Sequence, residues 1–583
     1  MQVGQMERAY RARVDSVITF YQTRVAPDYS QGHYTDIAAN LHRGTNLDWA
    51  LARLDTLMQA PTGDMFWMYP FLTVMLAGQD VLPDDTKRRM RDLWRTYRPY
   101  RGDTENHWLL YYSTLYLVNQ MYPDEPGETW FTGKSSQENF DEAEEWLIEW
   151  MDLTTTKGRG EYDSAHYIKV YTAPLALLYG WAEDPEMRQR AWMMLEYEMA
   201  DYAVELLAGH YGGAHSRVYE REALAPGRSP AVRYAGLFFG QAPLVPSLET
   251  MMVAMSGYEP SPILHGIASD RSAPYAHREL KRTRLRMRHS DHPYPPVYKY
   301  SFVRPEYILG SRAGGFQPIQ EQGWGLQWAA SDRIEARNTF LALHPYSSPE
   351  VLGMNHNFMQ EFITVIVIRS KTEYDSPDKL TGGSPYEQLF QDEDALIALY
   401  DIEPGVRFEH INAHFSADLE NVVEDESGWI FARGGDALIA VYPLQPYRWE
   451  DKLDYLDDSM VHQRLVSPHL QNGLVVQVAP ASAYPSMDAF QDAVRALPLE
   501  TSTDPVARVR FTALNGRQLE AAFGETPSID GERVDYENWP LFDGPFAQAA
   551  PESRQLELRY GAMRRLLDFN TLTVRDWIET PQP

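Results

Sequence analysis

At 583 residues the chain exceeds the size at which one hydrophobic core keeps growing, so at least two packed units are expected. Hydrophobic residues make up 44% and charged residues 23%, and no apolar run approaches the roughly 20 residues that span a bilayer, which excludes an integral helical membrane protein. Fifty-three basic against 82 acidic side chains give a net charge of -29, which argues against nucleic acid as a partner, and the absence of cysteine removes disulfides, thiolate metal sites and cysteine nucleophiles together.

The first 29 residues lack the apolar core of a secretory leader, and their spacing predicts an amphipathic helix over 5–24. Helical spacing continues to about residue 260. It predicts helices over 47–58, 66–77, 84–97, 105–121, 139–151, 164–182 and 185–207, with a shorter pair between 231 and 255. Pro83-Asp84-Asp85 and Asp184-Pro185-Glu186 each place an acid or proline in a first turn. No strand separates these helices, so helical hairpins stacked in an arc or ring are the expected packing, and the lack of a fixed period argues against a repeat solenoid.

The pattern changes over 278–296, a basic, alternating stretch that ends in prolines. Beyond it come short runs at strand spacing, centred near residues 300, 310, 327, 341, 365, 398, 432, 440, 476, 510 and 576, and punctuated by Gly, Pro, Asn and Asp. One helix is expected over 487–496. The reading is an α+β multidomain chain: an N-terminal (α/α) toroid of helical hairpins over 1–277, then a C-terminal antiparallel β-sandwich over 278–583.

Aromatic residues reach 13%, which suits either a ring-rich core or a cleft that stacks sugar faces. Three clusters in the helical half weigh toward the cleft. Thr104-Glu105-Asn106-His107-Trp108 opens an apolar helix, where an N-cap with a polar first turn is the plain alternative. In Glu161-Tyr162-Asp163-Ser164-Ala165-His166-Tyr167 a glycine-containing turn feeds a helix. Helical spacing puts Asp163, Tyr167 and Tyr171 on one face and pairs Tyr162 with His166, where an ordinary core helix carries aliphatics. The third cluster, Gly212-Gly213-Ala214-His215-Ser216-Arg217-Val218-Tyr219-Glu220, reads alternatively as a helix C-cap followed by a surface Arg217–Glu220 pair. Loops of this kind from successive hairpins are expected to open at one rim.

These residues resemble the α/α-toroid polysaccharide lyases, the heparinase II/III-like and alginate-lyase-like group. The resemblance lies in domain order, in Asn106-His107, in Ser164-Ala165-His166-Tyr167 (with Ala165 where proline is usual), and in Gly428 to Asp436 of the second half. It implies a lyase that removes the C5 proton of a uronic acid and expels the C4-linked sugar, chemistry that needs the adjacent carboxylate neutralised. Asn106 and His107 are implied as neutralisers and Tyr167 as general base or acid, with His166, His215 and Arg217 supplying charge. His356 is the implied histidine from the second domain, although the family's His-x-His-x-Asp pattern is absent around it, which argues against a structural metal. Trp108, Glu161, Tyr162, Asp163, Tyr171, Arg217, Tyr219 and Trp324 are expected to bind the glycan. No cofactor and no metal are implied; the expected partner is an anionic, uronate-containing polysaccharide, and the expected location is secreted or periplasmic, with any leader removed.

Two other readings are open at this point. A glycoside hydrolase on the same scaffold would take two carboxylates from Glu105, Glu161, Asp163 and Glu220. A non-catalytic glycan binder would use Trp108, Trp324 and Trp328 as platforms. Gly314-Gly315 and Gly382-Gly383 lack the strand-to-helix context of a nucleotide loop and read as turns.

Overall fold

The computed structural model describes residues 3–25, 33–61, 63, 65–97, 104–283, 295–330, 334–347 and 372–579. The first half is built from α1 (Val3–Gln22), α2 (His33–Arg43), α3 (Leu47–Met58), α4 (Met65–Gly78), α5 (Asp84–Asp92), α6 (Glu105–Met121), α7 (Ser136–Lys157), α8 (Ile168–Trp181) and α9 (Pro185–Val204). Two helical turns, α10 (Glu220–Ala223) and α11 (Ala231–Tyr234), precede α12 (Leu248–Ser256) and α13 (Pro262–Ser269).

Composition sorts these helices into two rings. The segments of α4 and α8 are apolar nearly all round and are buried over most of their length, as a helix surrounded by others must be. Each packs between neighbours in an inner circle, α2 on α4, α4 on α6, α6 on α8 and α8 on α12, and α12 returns to α2 and closes it. The outer helices are one-sided. In α7, which opens with a Ser135–Glu138 capping box, the buried positions are Ser136, Asn139, Ala143, Leu147, Trp150, Met151, Thr154 and Thr155, a stripe laid on α6. Likewise α3 covers α2, α9 covers α8 and α1 covers α12.

The expected helices recur, with differences in several places. The sequence reading passed over α2 and α13. The helix expected from 164 starts only at Ile168, because residues 160–167 form an irregular turn with Asp163 at φ 46°. Finally, α9 stops at Val204 and a two-residue hairpin, Leu206–Leu207 with His210–Tyr211, follows, so Gly212-Gly213 is not a helix cap.

Among the described residues, every strand pairing of the second half is antiparallel. A thirteen-stranded sheet starts with Tyr275–Arg282, Pro296–Val303 and Tyr307–Gly314; a six-stranded sheet includes Ala395–Asp401, Ala437–Pro443 and Gln471–Pro480. Leu309, Trp324, Leu326, Phe340 and Phe415 of the first meet Leu396, Ala398, Ile439 and Val476 of the second in one core. The six-stranded sheet is covered on its other face as well, by the helix Met487–Arg495 and a five-stranded sheet, through Phe490, Val494, Phe511 and Leu519. Burial on both faces explains why its strands read as unbroken apolar runs rather than as alternation. The sandwich therefore has a third layer. Most of the basic run after Arg282, and the expected strand near residue 365, lie outside the described residues.

The halves are joined rather than tethered. Phe542, Leu556, Leu558 and Phe569 from the last strands enter the toroid core, and His215–Ser216 pairs antiparallel with Glu321–Gln322.

Candidate active site

The inner helices α6 and α8 begin against the first strands of the large sheet, and the turn leading into α8 is pressed onto them. A Cβ on Gly158 would sit 2.1 Å from the Leu280 carbonyl oxygen, so only glycine lets the chain pass there. Beyond it the turn is fixed on three sides. Tyr162 donates its hydroxyl to Glu321 (2.6 Å). Ser164 Oγ accepts from the Tyr167 amide (2.9 Å) and donates to the Arg217 carbonyl (2.9 Å). Ser216 donates its amide and its hydroxyl to the Tyr162 carbonyl (3.0 and 2.9 Å), and His215 Nδ1 donates to the Asp163 carbonyl (2.7 Å). The second and third sequence clusters are thus one construction, brought together by main-chain contacts.

At its rim stand Tyr167, Tyr219, His166 and Arg217. The Tyr167 and Tyr219 hydroxyls are 2.7 Å apart, and Arg217 Nη2 donates to the Tyr167 hydroxyl at 3.4 Å with its guanidinium 4.9 Å above that ring. Arg217, at φ 54°, is held by Glu161 (Nε to Oε1, 3.2 Å) and by Gln320, which in turn donates to Tyr374. Both Gln320 and Tyr374 come from the β-domain. Burial pushes the Tyr167 phenol well above its ordinary value, and the guanidinium only partly opposes it, so the phenol is protonated at neutral pH. His166 Nδ1 lies 2.7 Å from Glu222 Oε1; burial lowers its pKa, against the pull of Glu222, which leaves a neutral ring with the proton on Nδ1 and the Nε2 lone pair unprotonated.

Of the three groups implied to supply charge, Arg217 is the cation and the two histidines are neutral. His215, buried and beside Lys299, is pushed down to about 4, so neither it nor His166 is a cation at neutral pH. Asn106 has both amide hydrogens committed, to Thr104 Oγ1 (2.9 Å) and Glu161 Oε2 (2.6 Å), and offers nothing to a substrate carboxylate while Glu161 is in place. His107 is half-buried beside the exposed Phe66 ring, with centroids 5.2 Å apart. Arg217 supplies the positive charge next to Tyr167, and Arg221, half-exposed and 5.3 Å from the Tyr219 ring, supplies a second at the surface.

Several other expected residues lie inside the framework. Tyr171 donates to Glu161 (2.8 Å) from a fully buried position. Trp108 packs within the toroid against Trp146 and Tyr112. Trp324 is 1% exposed in the sandwich core, edge-on to Phe340, and Trp328 is buried beside Gly434, so neither is a platform for a glycan. The four carboxylates open to a hydrolase are occupied: Glu105 by Arg282 and Trp150, Glu161 by Arg217 and Asn106, Asp163 by two lysines, and Glu220 by the Leu380 amide. Arg217 and Glu220 are buried, so the alternative reading of them as a surface pair does not hold. His356 lies outside the described residues.

Beneath the turn lies a charge network that sequence reasoning missed. Asp163, Glu198, Asp201, Glu205 and Glu279 surround Arg159, Lys281 and Lys299, all buried. Lys299 Nζ is 2.5 Å from Asp163 and also pairs with Glu205, while Lys281 Nζ is 3.1, 2.6 and 3.3 Å from Asp163, Asp201 and Glu279. Those last three carboxylates stand close enough together to hold a metal ion, but the Lys281 ammonium occupies the position between them. Lys281, Lys299 and Glu279 alternate in strands that look like surface in the sequence; the signal was a basic and acidic residue at every second position.

No protein-family model and no curated protein matches the sequence. Among solved structures, the chain is similar to the heparan sulfate lyase HepC from Pedobacter heparinus, at 8% identity over 88% of this chain and 82% of that one, with a TM-score of 0.38. It is also similar to a Paenibacillus xanthan lyase (9% identity, 97% of this chain and 64% of that one, TM-score 0.43). A third is the Streptomyces coelicolor A3 chondroitin AC lyase, solved with chondroitin sulphate (10% identity, 96% and 88%, TM-score 0.44). The chain thus spans less than two thirds of the xanthan lyase. Likeness at this level carries nothing about individual residues.

Proposed function

We propose that this protein is a polysaccharide lyase that cleaves a uronic-acid-containing glycan by β-elimination outside the cytoplasm. The observation that carries the reading is the Tyr167 hydroxyl, held 3.4 Å from the Arg217 guanidinium beside the neutral His166 ring that Glu222 orients. Elimination needs those functions together: a cation for the uronate carboxylate, a base for the C5 proton and an acid for the leaving oxygen. Arg217 binds the carboxylate, with Arg221 at the rim. His166 Nε2 takes the C5 proton as the C4–C5 double bond forms, the C4–O bond breaks with its electrons passing to oxygen, and the Tyr167 hydroxyl protonates that oxygen. Proton return from His166 to Tyr167, whose rings lie 4.8 Å apart, restores the site.

The test is ultraviolet absorbance of the unsaturated uronate product, with wild-type and Tyr167→Phe proteins on alginate, hyaluronan, chondroitin and heparan sulfate. Wild type is expected to generate absorbance and the variant to lose it by a factor of about 10² or more. Release of reducing ends without absorbance would overturn the reading in favour of hydrolysis.

A further inference from the structure

The strands that carry the buried charges have a second face. Along Tyr275–Arg282 and Pro296–Val303, Glu279, Lys281 and Lys299 point at the toroid, and the alternate side chains Arg278, Tyr298 and Tyr300 point away from it. With Ser311 and Ala313 of the next strand they floor a cleft of about 580 Å³. One wall is the end of the strand Glu387–Asp392 and the other is the segment 529–545. The volume falls within the roughly 300–1,000 Å³ of small-ligand sites. Because the two faces of one sheet separate them, this cleft and the Tyr167 site open in different directions.

Its lining combines a fixed aromatic bed with planar hydrogen-bonding groups. Tyr536 packs between Tyr298 (centroids 4.7 Å) and Trp539 (5.6 Å), and the Arg278 guanidinium lies 5.4 Å over Trp539. Two guanidinium–carboxylate pairs, Arg278–Asp543 and Arg517–Asp392 (2.8 Å), present donors and acceptors side by side, the pattern that matches neighbouring sugar hydroxyls. Around them, Glu393, Glu532 and Asp535 outnumber Arg533, so the lining carries a net negative charge and repels a polyanion.

We propose that this cleft is an accessory site for neutral sugar units of a glycan chain, separate from the Tyr167 site; preferring a glycan to other uncharged ligands rests on the carbohydrate reading above. Sugar rings lay their C–H faces on the Tyr298–Tyr536 bed while the two ion pairs read their hydroxyls. The site would hold a mixed polymer through its neutral residues while the uronate reaches Arg217.

The test is native electrophoresis through gels containing xylan, β-glucan or galactomannan, with alginate as the charged comparison, run on wild type, Tyr536→Ala, Arg533→Ala and Tyr167→Phe. Wild type and Tyr167→Phe are expected to be retarded by a neutral polymer. Tyr536→Ala is expected to bind about tenfold more weakly, with unfolding temperature reported alongside, and Arg533→Ala, at an exposed position, tests the rim without disturbing the aromatic bed. Retardation by none of the three neutral polymers overturns the proposal, as does retardation that Tyr536→Ala and Arg533→Ala both leave unchanged, or loss confined to alginate binding. The two readings fail separately: absence of elimination by wild type with intact neutral-polymer binding removes the lyase reading and leaves the cleft, whereas loss of neutral-polymer binding in Tyr167→Phe overturns the separateness of the cleft.

Discussion

Lys299 is the cation on which the turn beneath the active site depends, and Lys299→Met removes it with little change of shape. Its ammonium is shared by Asp163 at 2.5 Å, by Glu205 and, at 3.5 Å, by Glu279, all fully buried. Removing one partner of a buried pair leaves uncompensated charge and costs about 3–5 kcal/mol. At roughly 2.1 cal/mol/K per residue, 583 residues give an unfolding entropy of about 1.2 kcal/mol/K, so Tm falls by about 2.5–4 °C if the chain melts as one unit. Activity falls with it, because Asp163 is the residue whose carbonyl orients His215 and whose neighbour Ser164 holds Tyr167. Differential scanning calorimetry at neutral pH measures the shift. A Tm within about 1 °C of wild type would show that the network takes up the lost charge by protonation, and would refute the argument that Lys299 is required.

Two further expectations concern protons. The Glu205 carboxyl is pushed up to about 7 by burial, with Lys299 opposing, so the folded state binds more protons than the unfolded one between the ordinary value of 4.5 and 7. This group's contribution to stability is therefore greatest below 4.5 and declines as pH rises to about 7, and Glu205→Gln is expected to flatten the fall of Tm across that window. At the active site Glu222 raises the His166 pKa while burial lowers it. Glu222→Gln removes the raising influence, so the acid limb of kcat/KM moves to lower pH; a limb that stays in place would exclude His166 as the base.

What the sequence revealed follows from how locally each feature is encoded. The inner helices α4 and α8 and the central strands of the six-stranded sheet are apolar on all sides, and that signal survives without knowing the partners, whereas the shorter and more polar α2 was passed over. The active-site turn was legible as a density of ionisable groups around residues 161–167, but its geometry was not, since Asp163 at φ 46° breaks the helical spacing that put Tyr171 and Asp163 on one face. Trp108 and Trp324 illustrate the opposite error: an aromatic ring is as much a core residue as a sugar platform, and only burial separates the two uses.

The least legible part was the pairing across the halves. Gln320 lies roughly 100 residues from Arg217, and Lys281 and Lys299 lie more than 100 from Asp163, and each is an ordinary polar residue in its own segment. Their placement has a consequence for the chemistry. Tyr167 and Arg217 belong to the toroid, but Arg217 is aimed by Gln320, and the turn before Tyr167 is anchored by Glu321 and Lys299. On the proposed mechanism the toroid carries the reacting groups, and the β-domain sets the distance between them. Substitutions in the β-domain at Gln320 or Lys299 should then act on the reaction through geometry, lowering kcat more than they raise KM, because the groups proposed to touch the substrate are retained and only their mutual alignment is lost.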